Sequence, residues 1–444
     1  MLLFDKIKKN ETLLAALKNT SWLVGEKVLS MVLVLLVNVF VARHLEPESF
    51  GLLNYLLAVI ALLIPLSSLG LNAIVTRELV ALKHSYLSIM TTATIIRFLG
   101  GVLASIILIT CLYFGVFTRL EGKHWAIILL SLANLLVAFH VIDFWFQAKV
   151  QSKYIVKVRF LSVVLISSIK LILVYHDAPL TAFIWAAALE SLLLSVGFII
   201  IYKLKKGSFE LSSFDFSYGM SLLKQSKWLI LSGIASIIYL KIDQVMLTEM
   251  VSTTENGIYS VASRISEVWY FFPTALAASF FPSLLKYKET NKEKYQQQLQ
   301  RLCDVLFISA LAIALVLTFL SDWLIVFLFG DEYSAAGSIL ALHIWAGVFV
   351  FMRALLSKWL LAENLLVFSL VTHGVGAIIN IGLNLWLIPM YHGIGAAIAT
   401  VVSYAFASYI VLFFHPSTWP MAKIMTKSLF FPGRFILARI RPVV

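Results

Sequence analysis

Charge and cysteine are what this sequence has little of. Only 13% of its 444 residues are charged and two are cysteines, against about 25% charged residues in ordinary globular proteins. Disorder needs high charge and low hydrophobicity, but 61% of this chain is hydrophobic, so disorder is excluded. A disulfide scaffold is excluded too: Cys111 lies in an apolar run and Cys303 beside a basic loop, and no bridge is expected between them. HExxH, CxxC, Walker-loop and GxSxG patterns are all absent. Nothing in the sequence therefore supports an enzyme, a metal centre or a cofactor.

Acids are the scarcer sign of charge, 23 against 35 Lys and Arg, for a net +12. In a soluble protein this would suggest nucleic acid. The apolar excess identifies an integral membrane protein instead, and cytoplasmic loops of such proteins collect Lys and Arg. A helix crossing the hydrocarbon needs about 20 mostly apolar residues. About twelve such stretches occur, at 20–42, 50–70, 90–117, 124–147, 156–176, 180–202, 228–250, 257–283, 303–320, 334–357, 366–388 and 394–414. The first is long, carries Glu26 and Lys27 and lacks a small-residue cleavage site, so it reads as a span rather than a removable signal peptide. With the N-terminus inside and loops alternating, 26 of the 35 bases fall inside and only Arg43, Arg119 and Lys123 outside. Both termini are expected in the cytoplasm, and nucleic acid is not needed to explain the charge. The outer connections, 43–50, 118–124, 177–179, 251–256, 321–333 and 389–393, are too short for a soluble domain.

The expected fold is an all-α integral membrane protein of about 12 transmembrane helices in two six-helix lobes. A cytoplasmic amphipathic N-terminus (1–19) precedes the N-lobe (20–202); a cytoplasmic linker (203–227) leads to the C-lobe (228–414). The basic tail 415–444, with Trp419, Phe430, Phe431 and Phe435, is expected on the inner membrane surface. Phe50-Gly51-Leu52-Leu53 and Asn256-Gly257-Ile258-Tyr259 echo each other, and each is followed by a proline, Pro65 or Pro273. Six spans per half make the repeat parallel, about an axis along the membrane normal.

Away from the span ends, six bases remain within the spans, Lys27, Arg97, Lys170, Lys241, Arg264 and Arg353, with five acids, Glu26, Asp143, Glu190, Asp243 and Glu267. Each costs about 2.5–3.5 kcal/mol at mid-bilayer, so facing them all to lipid would cost on the order of 30 kcal/mol. They must line a wet interior or pair. Lys241, Asp243, Arg264 and Glu267 share one depth in the outer half, roughly 10–15 Å from the outer end, with Lys170 nearby. Lys27, Arg97, Arg353, Glu26 and Asp143 fall in the inner half. Arg264 and Glu267, at i and i+3, have each other as one available partner. Lys241 and Asp243 are two apart, point to different sides and need partners elsewhere. Snorkelling is the plain alternative for Lys27 and Arg353. Glu190 stands alone in span six and is the best lone candidate to titrate. His140 and His373 read as packing residues, Asn380 and Asn384 as interhelical hydrogen bonders, and the row Gly395, Ala399, Ser403, Ala407 as a close-packing stripe.

Several of these charges lie in recognisable stretches: Val41-Ala42-Arg43-His44-Leu45-Glu46-Pro47-Glu48-Ser49-Phe50-Gly51, Ser68-Leu69-Gly70-Leu71-Asn72, Thr76-Arg77-Glu78-Leu79 and Ile142-Asp143-Phe144-Trp145-Phe146-Gln147. The most specific is Lys241-Ile242-Asp243-Gln244-Val245-Met246-Leu247, continuing through Gly257-Ile258-Tyr259 to Arg264-Ile265-Ser266-Glu267 and Pro273. Leu383-Asn384-Leu385-Trp386 and Gly393-Ile394-Gly395 follow. In this order they resemble the bacterial polysaccharide transporter family of the O-antigen flippase type, within the multidrug, oligosaccharidyl-lipid and polysaccharide exporter superfamily. The resemblance covers roughly 20–415. Where relatives often have glycine before Pro-Glu, this chain has Glu46.

The resemblance implies a flippase carrying undecaprenyl-diphosphate-linked oligosaccharide from the cytoplasmic to the periplasmic leaflet of the inner membrane, by alternating access of a cationic central cavity. A polysaccharide polymerase and chain-length machinery would be its partners. Lys27, Arg97 and Arg353 are expected to receive the diphosphate from inside, and Lys170, Lys241 and Arg264 to hold it before release, since Arg and Lys offer several donors and positive charge. Glu26, Asp143, Glu190, Asp243 and Glu267 would balance charge or carry a coupled proton or sodium ion. The rival readings are a multidrug or cation antiporter and a peptidoglycan-precursor flippase. A membrane polymerase or ligase would need a large outer loop, which is lacking here.

Overall fold

A straight helix of 58 residues would be about 87 Å long, nearly three times the hydrocarbon thickness. The first helix, α1 (Glu11–Ser68), has that many residues and is broken at Glu46, with φ 57° and ψ 170°. Pro47 follows, and the residue before a proline is driven out of the helical region. In this computed structural model, residues 11–81, 84–120 and 122–431 are described. The expected bases Lys6, Lys8, Lys9, Lys83, Arg434, Arg439 and Arg441, most of the 1–19 segment and the end of the tail with Phe435 lie outside them.

The remaining helices are α2 (Asn72–Ala81), α3 (Tyr86–Tyr113), α4 (His124–Leu135), α5 (Val141–Ala148), α6 (Lys153–Tyr175), α7 (Leu180–Leu204), α8 (Phe216–Met250), α9 (Thr253–Glu267), α10 (Phe271–Thr290), α11 (Lys292–Phe329), α12 (Ala336–His343), α13 (Ala346–Ala362), α14 (Leu366–Ser408) and α15 (Trp419–Leu429). Among the described residues, ten helical segments are long and apolar enough to cross a membrane. Two of them, Trp22–Ala81 and Val367–Phe414, contain the backbone breaks at Glu46 and His392 and supply two crossings each, which makes twelve. The chain is thus an all-α, multi-pass membrane protein. At the second break the strands of helix approach closely: a Cβ on Gly395 would lie 2.3 Å from the Leu387 carbonyl oxygen. Gly393 N donates to Glu255 Oε1 there, at 2.8 Å.

Several elements extend past the apolar stretches. α8 starts at Phe216 because its first turns are packed: Tyr218 and Leu222 join a core with Ile89, Ala93 and Ile96. α11 starts at Lys292 because Tyr295 and Leu299 are buried against Trp359 and Met425. The last span ends earlier than its hydropathy suggests, at Ser408, and continues as a 3-10 turn over Ile410–Phe414. α2 and α15 are short, and α15 is amphipathic. α15 buries Met421, Ala422 and Met425 against α11 and leaves Lys423 and Lys427 exposed.

The chain divides into two compact units, Met1–Ile234 and Ala235–Val444, with the boundary inside α8. Both units contain interrupted crossings. In the first, α4 and α5 are joined by a 3-10 stretch, Leu136–His140; in the second, α9 and α10 are joined by a 3-10 turn at Val268–Tyr270, and α12 and α13 are separated at Ile344 and Trp345. Loosened turns free backbone carbonyls, which other side chains must satisfy. Ser195 Oγ donates to Leu136 O at 3.0 Å, and Ser266 Oγ reaches His343 O more loosely, at 3.5 Å.

Candidate functional site

In the first unit the decisive group is Arg97 on α3. One turn later come Gly100 and Gly101; a Cβ on Gly100 would lie 2.5 Å from the Leu66 carbonyl oxygen, so α3 closes tightly on the second span. This closeness buries Arg97, which is 2% exposed. Its guanidinium lies over the Phe144 ring, 5.4 Å from the centroid, and neither Nε nor Nη1 has a hydrogen-bond partner. A buried guanidinium with idle donors costs stability and is ready to meet an anion.

Beyond Phe144 opens a cleft of about 860 Å³ lined by Asn72, Thr76 and Arg77 of α2, Asp143, Phe144 and Gln147 of α5, and Arg159 of α6. Val150, at φ 55°, turns the chain between α5 and α6. That turn brings Arg159 Nη2 to 2.5 Å from Asp143 Oδ2, which also accepts from Gln147 Nε2 at 2.9 Å, while Asp143 Oδ1 is buried without a partner. Asp143 is therefore held by two donors on one oxygen. Arg77 donates to Glu78 and Gln225. Arg77 and Arg159 belong to the 26 bases that the sequence places inside, and charge distribution alone does not put them in a cleft. The signal was present, because Thr76-Arg77-Glu78 and Asp143 to Gln147 fall in the family-like stretches.

Other first-unit charges resolve differently. Glu190 is not alone: Lys170 Nζ lies 3.1 Å from its Oε2, across the α6–α7 hairpin. The reading of Glu190 as a solitary titrating group is corrected accordingly. Glu26 is buried and accepts from Ser30 Oγ at 2.9 Å, while Lys27 beside it is exposed.

In the second unit Lys241 and Asp243 point to different sides of α8, as their spacing requires. Lys241 Nζ lies 3.3 Å from Glu267 Oε2. Arg264, one turn before Glu267, is half-buried. Asp243 is buried at 3% exposure and accepts Tyr259 Oη at 2.8 Å, Asn384 Nδ2 at 2.6 Å and Thr400 Oγ1 at 2.6 Å. Among the described residues no cation approaches it within 4.0 Å. Asn384 Oδ1 is buried without a partner, and Asn380 links Asn384 to Ser403. The carboxylate and its neutral oxygens form an enclosed polar knot in which Tyr259 and Thr400 were not foreseen. Arg353 does not snorkel. It is 6% exposed, donates Nη1 to Ala407 O at 2.8 Å and leaves Nε and Nη2 without partners. The packing there excludes it from the interface: Tyr239, Ala346, Ala377 and Tyr404 form a buried cluster, with His373 stacked on Tyr239. Among the described residues no group of three or more His, Cys, Asp or Glu side chains is arranged to hold a metal ion.

The family described as polysaccharide biosynthesis protein matches residues 16–288, which include Arg97, Asp143, Lys241, Asp243 and Glu267. The chain belongs to that family. Among curated proteins it is similar to a probable flippase, AglR, of Haloferax volcanii, 30% identical over 253 residues covering 56% of this chain and 52% of that protein. It is also similar to the probable low-salt glycan biosynthesis flippase Agl15 of the same organism, 24% identical over 224 residues, 49% of this chain and 47% of that one. The chain thus spans about half the length of the curated relatives it matches. Among solved structures the fold is similar to that of the lipid II flippase MurJ in an inward closed conformation, with TM-score 0.69 and 16% identity over 94% of this chain and 93% of that one. An inward-facing multidrug resistance MATE family transporter of the MOP superfamily gives TM-score 0.69 and 14% identity over 89% and 95%. At these identities the likeness is one of fold. This member of the polysaccharide biosynthesis family carries its intramembrane charges on that fold.

Proposed function

We propose that this protein is a flippase for an undecaprenyl-diphosphate-linked oligosaccharide, an O-antigen or related polysaccharide repeat unit. It acts in a bacterial inner membrane with both termini cytoplasmic, as the distribution of Lys and Arg supports. The observation that carries the reading is the buried Arg97, with two guanidinium nitrogens unpartnered, behind a cleft edged by Arg77 and Arg159. A diphosphate cannot enter hydrocarbon bare. Arg77 and Arg159 meet it at the cleft, and Phe144 yields to let it reach Arg97, whose fork of donors suits phosphate oxygens. Arg353 serves the inner part of the route, and Lys170, Lys241 and Arg264 serve the later part.

Coupling to a proton or sodium ion is assigned to Asp243. It is a buried carboxylate without a cationic partner among the described residues, beside the unpartnered Asn384 Oδ1 and the Thr400 hydroxyl. Such an oxygen set suits a proton or a small hard cation. Glu267 and Glu190 are committed to Lys241 and Lys170 and balance charge. Polymerase and chain-length machinery would take the product at the outer leaflet.

The test is translocation in proteoliposomes with a defined lipid-linked oligosaccharide under imposed proton and sodium gradients. Wild type moves the lipid and Arg97→Gln does not. Movement of cationic dyes but not of the lipid-linked sugar would overturn the reading in favour of an antiporter.

A further inference from the structure

Against the second unit lies a pocket of about 930 Å³ that the transport route does not use, between the first turns of α11 and helix α15. Its construction follows from how α15 is seated. Met421, Ala422 and Met425 are buried against Leu299, Leu302 and Cys303. Ser428 Oγ donates to Asp304 Oδ1 at 2.6 Å and accepts from Gln300 Nε2 at 2.9 Å. With that face fixed, Lys423 and Lys427, one helical turn apart, line the pocket from one side and Lys292 from the other, above a wall containing the buried Trp359 and Tyr295.

The charge of this pocket is not cancelled from within. Glu363 is the only carboxylate among its lining residues. It is already engaged, by Lys288 Nζ at 2.9 Å and by the Tyr295 hydroxyl at 2.9 Å. None of the three lining lysines makes an ion pair among the described residues. At the rim stands Trp419, half-exposed, its indole N–H donated to Phe413 O at 2.9 Å so that the ring is left as an apolar surface. Exposed Phe413, Phe414 and Phe430 flank α15 on both sides in sequence.

We propose that this pocket binds the head group of an anionic phospholipid of the inner leaflet. A basic pocket between helices on the cytoplasmic side, next to exposed aromatics, has the chemistry of such a site. The three lysines take the phosphate, the glutamines Gln296 and Gln297 have donors for the polar part of the head, and the phenylalanines run alongside the acyl chains. A soluble anion would use the lysines but not the apolar rim. The proposal rests on the cytoplasmic orientation given above and not on the substrate assigned there.

The full chain, purified in uncharged detergent, is titrated separately with phosphatidylglycerol, phosphatidylcholine and inorganic phosphate. Binding is followed by native mass spectrometry and by the midpoint of thermal unfolding. Phosphatidylglycerol should bind at least about tenfold more tightly than phosphatidylcholine, a difference of about 1.4 kcal/mol. Lys292→Gln/Lys423→Gln/Lys427→Gln should abolish that preference without lowering the lipid-free midpoint. Lys286→Gln/Lys294→Gln/Arg301→Gln, which removes the same charge outside the pocket lining, should retain it. A preference that is missing from wild type, or that survives in the first variant, overturns the proposal. So does inorganic phosphate that reproduces the lipid effect at equal concentration, which would make the ligand a soluble anion. Because no oligosaccharide is present, failure here is separate from failure of the translocation assay.

Discussion

Replacing Arg97 with methionine should make the protein more stable and inactive at once. The buried guanidinium leaves Nε and Nη1 without hydrogen bonds, and each unmet buried donor costs about 1–3 kcal/mol. Against this stand the contact with Phe144, worth about 0.5–2 kcal/mol for a cation over a ring, and attraction to Asp143. Asp143 Oδ2 keeps Arg159 and Gln147 in the variant, so its loss is small. The net expectation is a gain of about 1–3 kcal/mol, within the range found when buried ions give way to apolar side chains of similar volume. Equilibrium unfolding in detergent measures the first half, and proteoliposome translocation at matched protein density the second. A variant destabilised by more than about 1 kcal/mol would mean that Arg97 is a structural prop. A variant that is stable and still translocates would remove Arg97 from the route.

Four further outcomes are expected. Asp243→Asn should make translocation indifferent to the proton or sodium gradient, whereas Glu190→Gln should leave gradient dependence intact because its carboxylate serves Lys170; the reverse pattern would exchange their roles. Glu46→Gly should raise stability by about 1–2 kcal/mol in thermal unfolding, since φ 57° with ψ 170° is open to glycine and strained for other residues. Gly376→Leu should lower stability by about 1–3 kcal/mol, because even a Cβ there lies 2.7 Å from Ala407 Cβ, while Gly25→Ala, which meets nothing within 4 Å, should be neutral or gain up to about 1 kcal/mol. A double-mutant cycle on Lys170 and Glu190 should yield a coupling of about 0.5–3 kcal/mol, since the two charged groups lie 3.1 Å apart within the spans; a coupling of zero would show that the pair is not made in the membrane.

Hydropathy made the twelve crossings legible, because the hydrocarbon imposes length and composition directly on each of them. It could not mark where helices run on beyond the apolar part, as at Phe216 and Lys292, since those turns are held by buried tyrosines and leucines. The separation of Lys241 from Asp243 followed from helical geometry. Their partners did not, because Glu267, Asn384 and Thr400 are brought in by packing across distant sequence. Glu190 looked solitary because its partner is 20 residues earlier, on the antiparallel arm of the same hairpin. Arg159 was hidden by its position: a base just inside a helix start counts as topology until the turn at Val150 folds it onto Asp143. Glu46 was legible as a departure from the family pattern, and its φ explains why glycine is the usual occupant.

The interrupted crossings in the two units have a mechanical consequence. A continuous α-helix resists bending because every turn is tied to the next. At Leu136 and His343 that tie is partly handed to serines of neighbouring helices, Ser195 and Ser266. Flexing there costs an exchange of one acceptor between two donors rather than the rupture of a backbone bond. Each unit therefore carries at mid-crossing a joint whose freed carbonyl a serine hydroxyl can share. Serine-to-alanine changes at these two positions would alter how readily the crossings bend while leaving every charged residue in place.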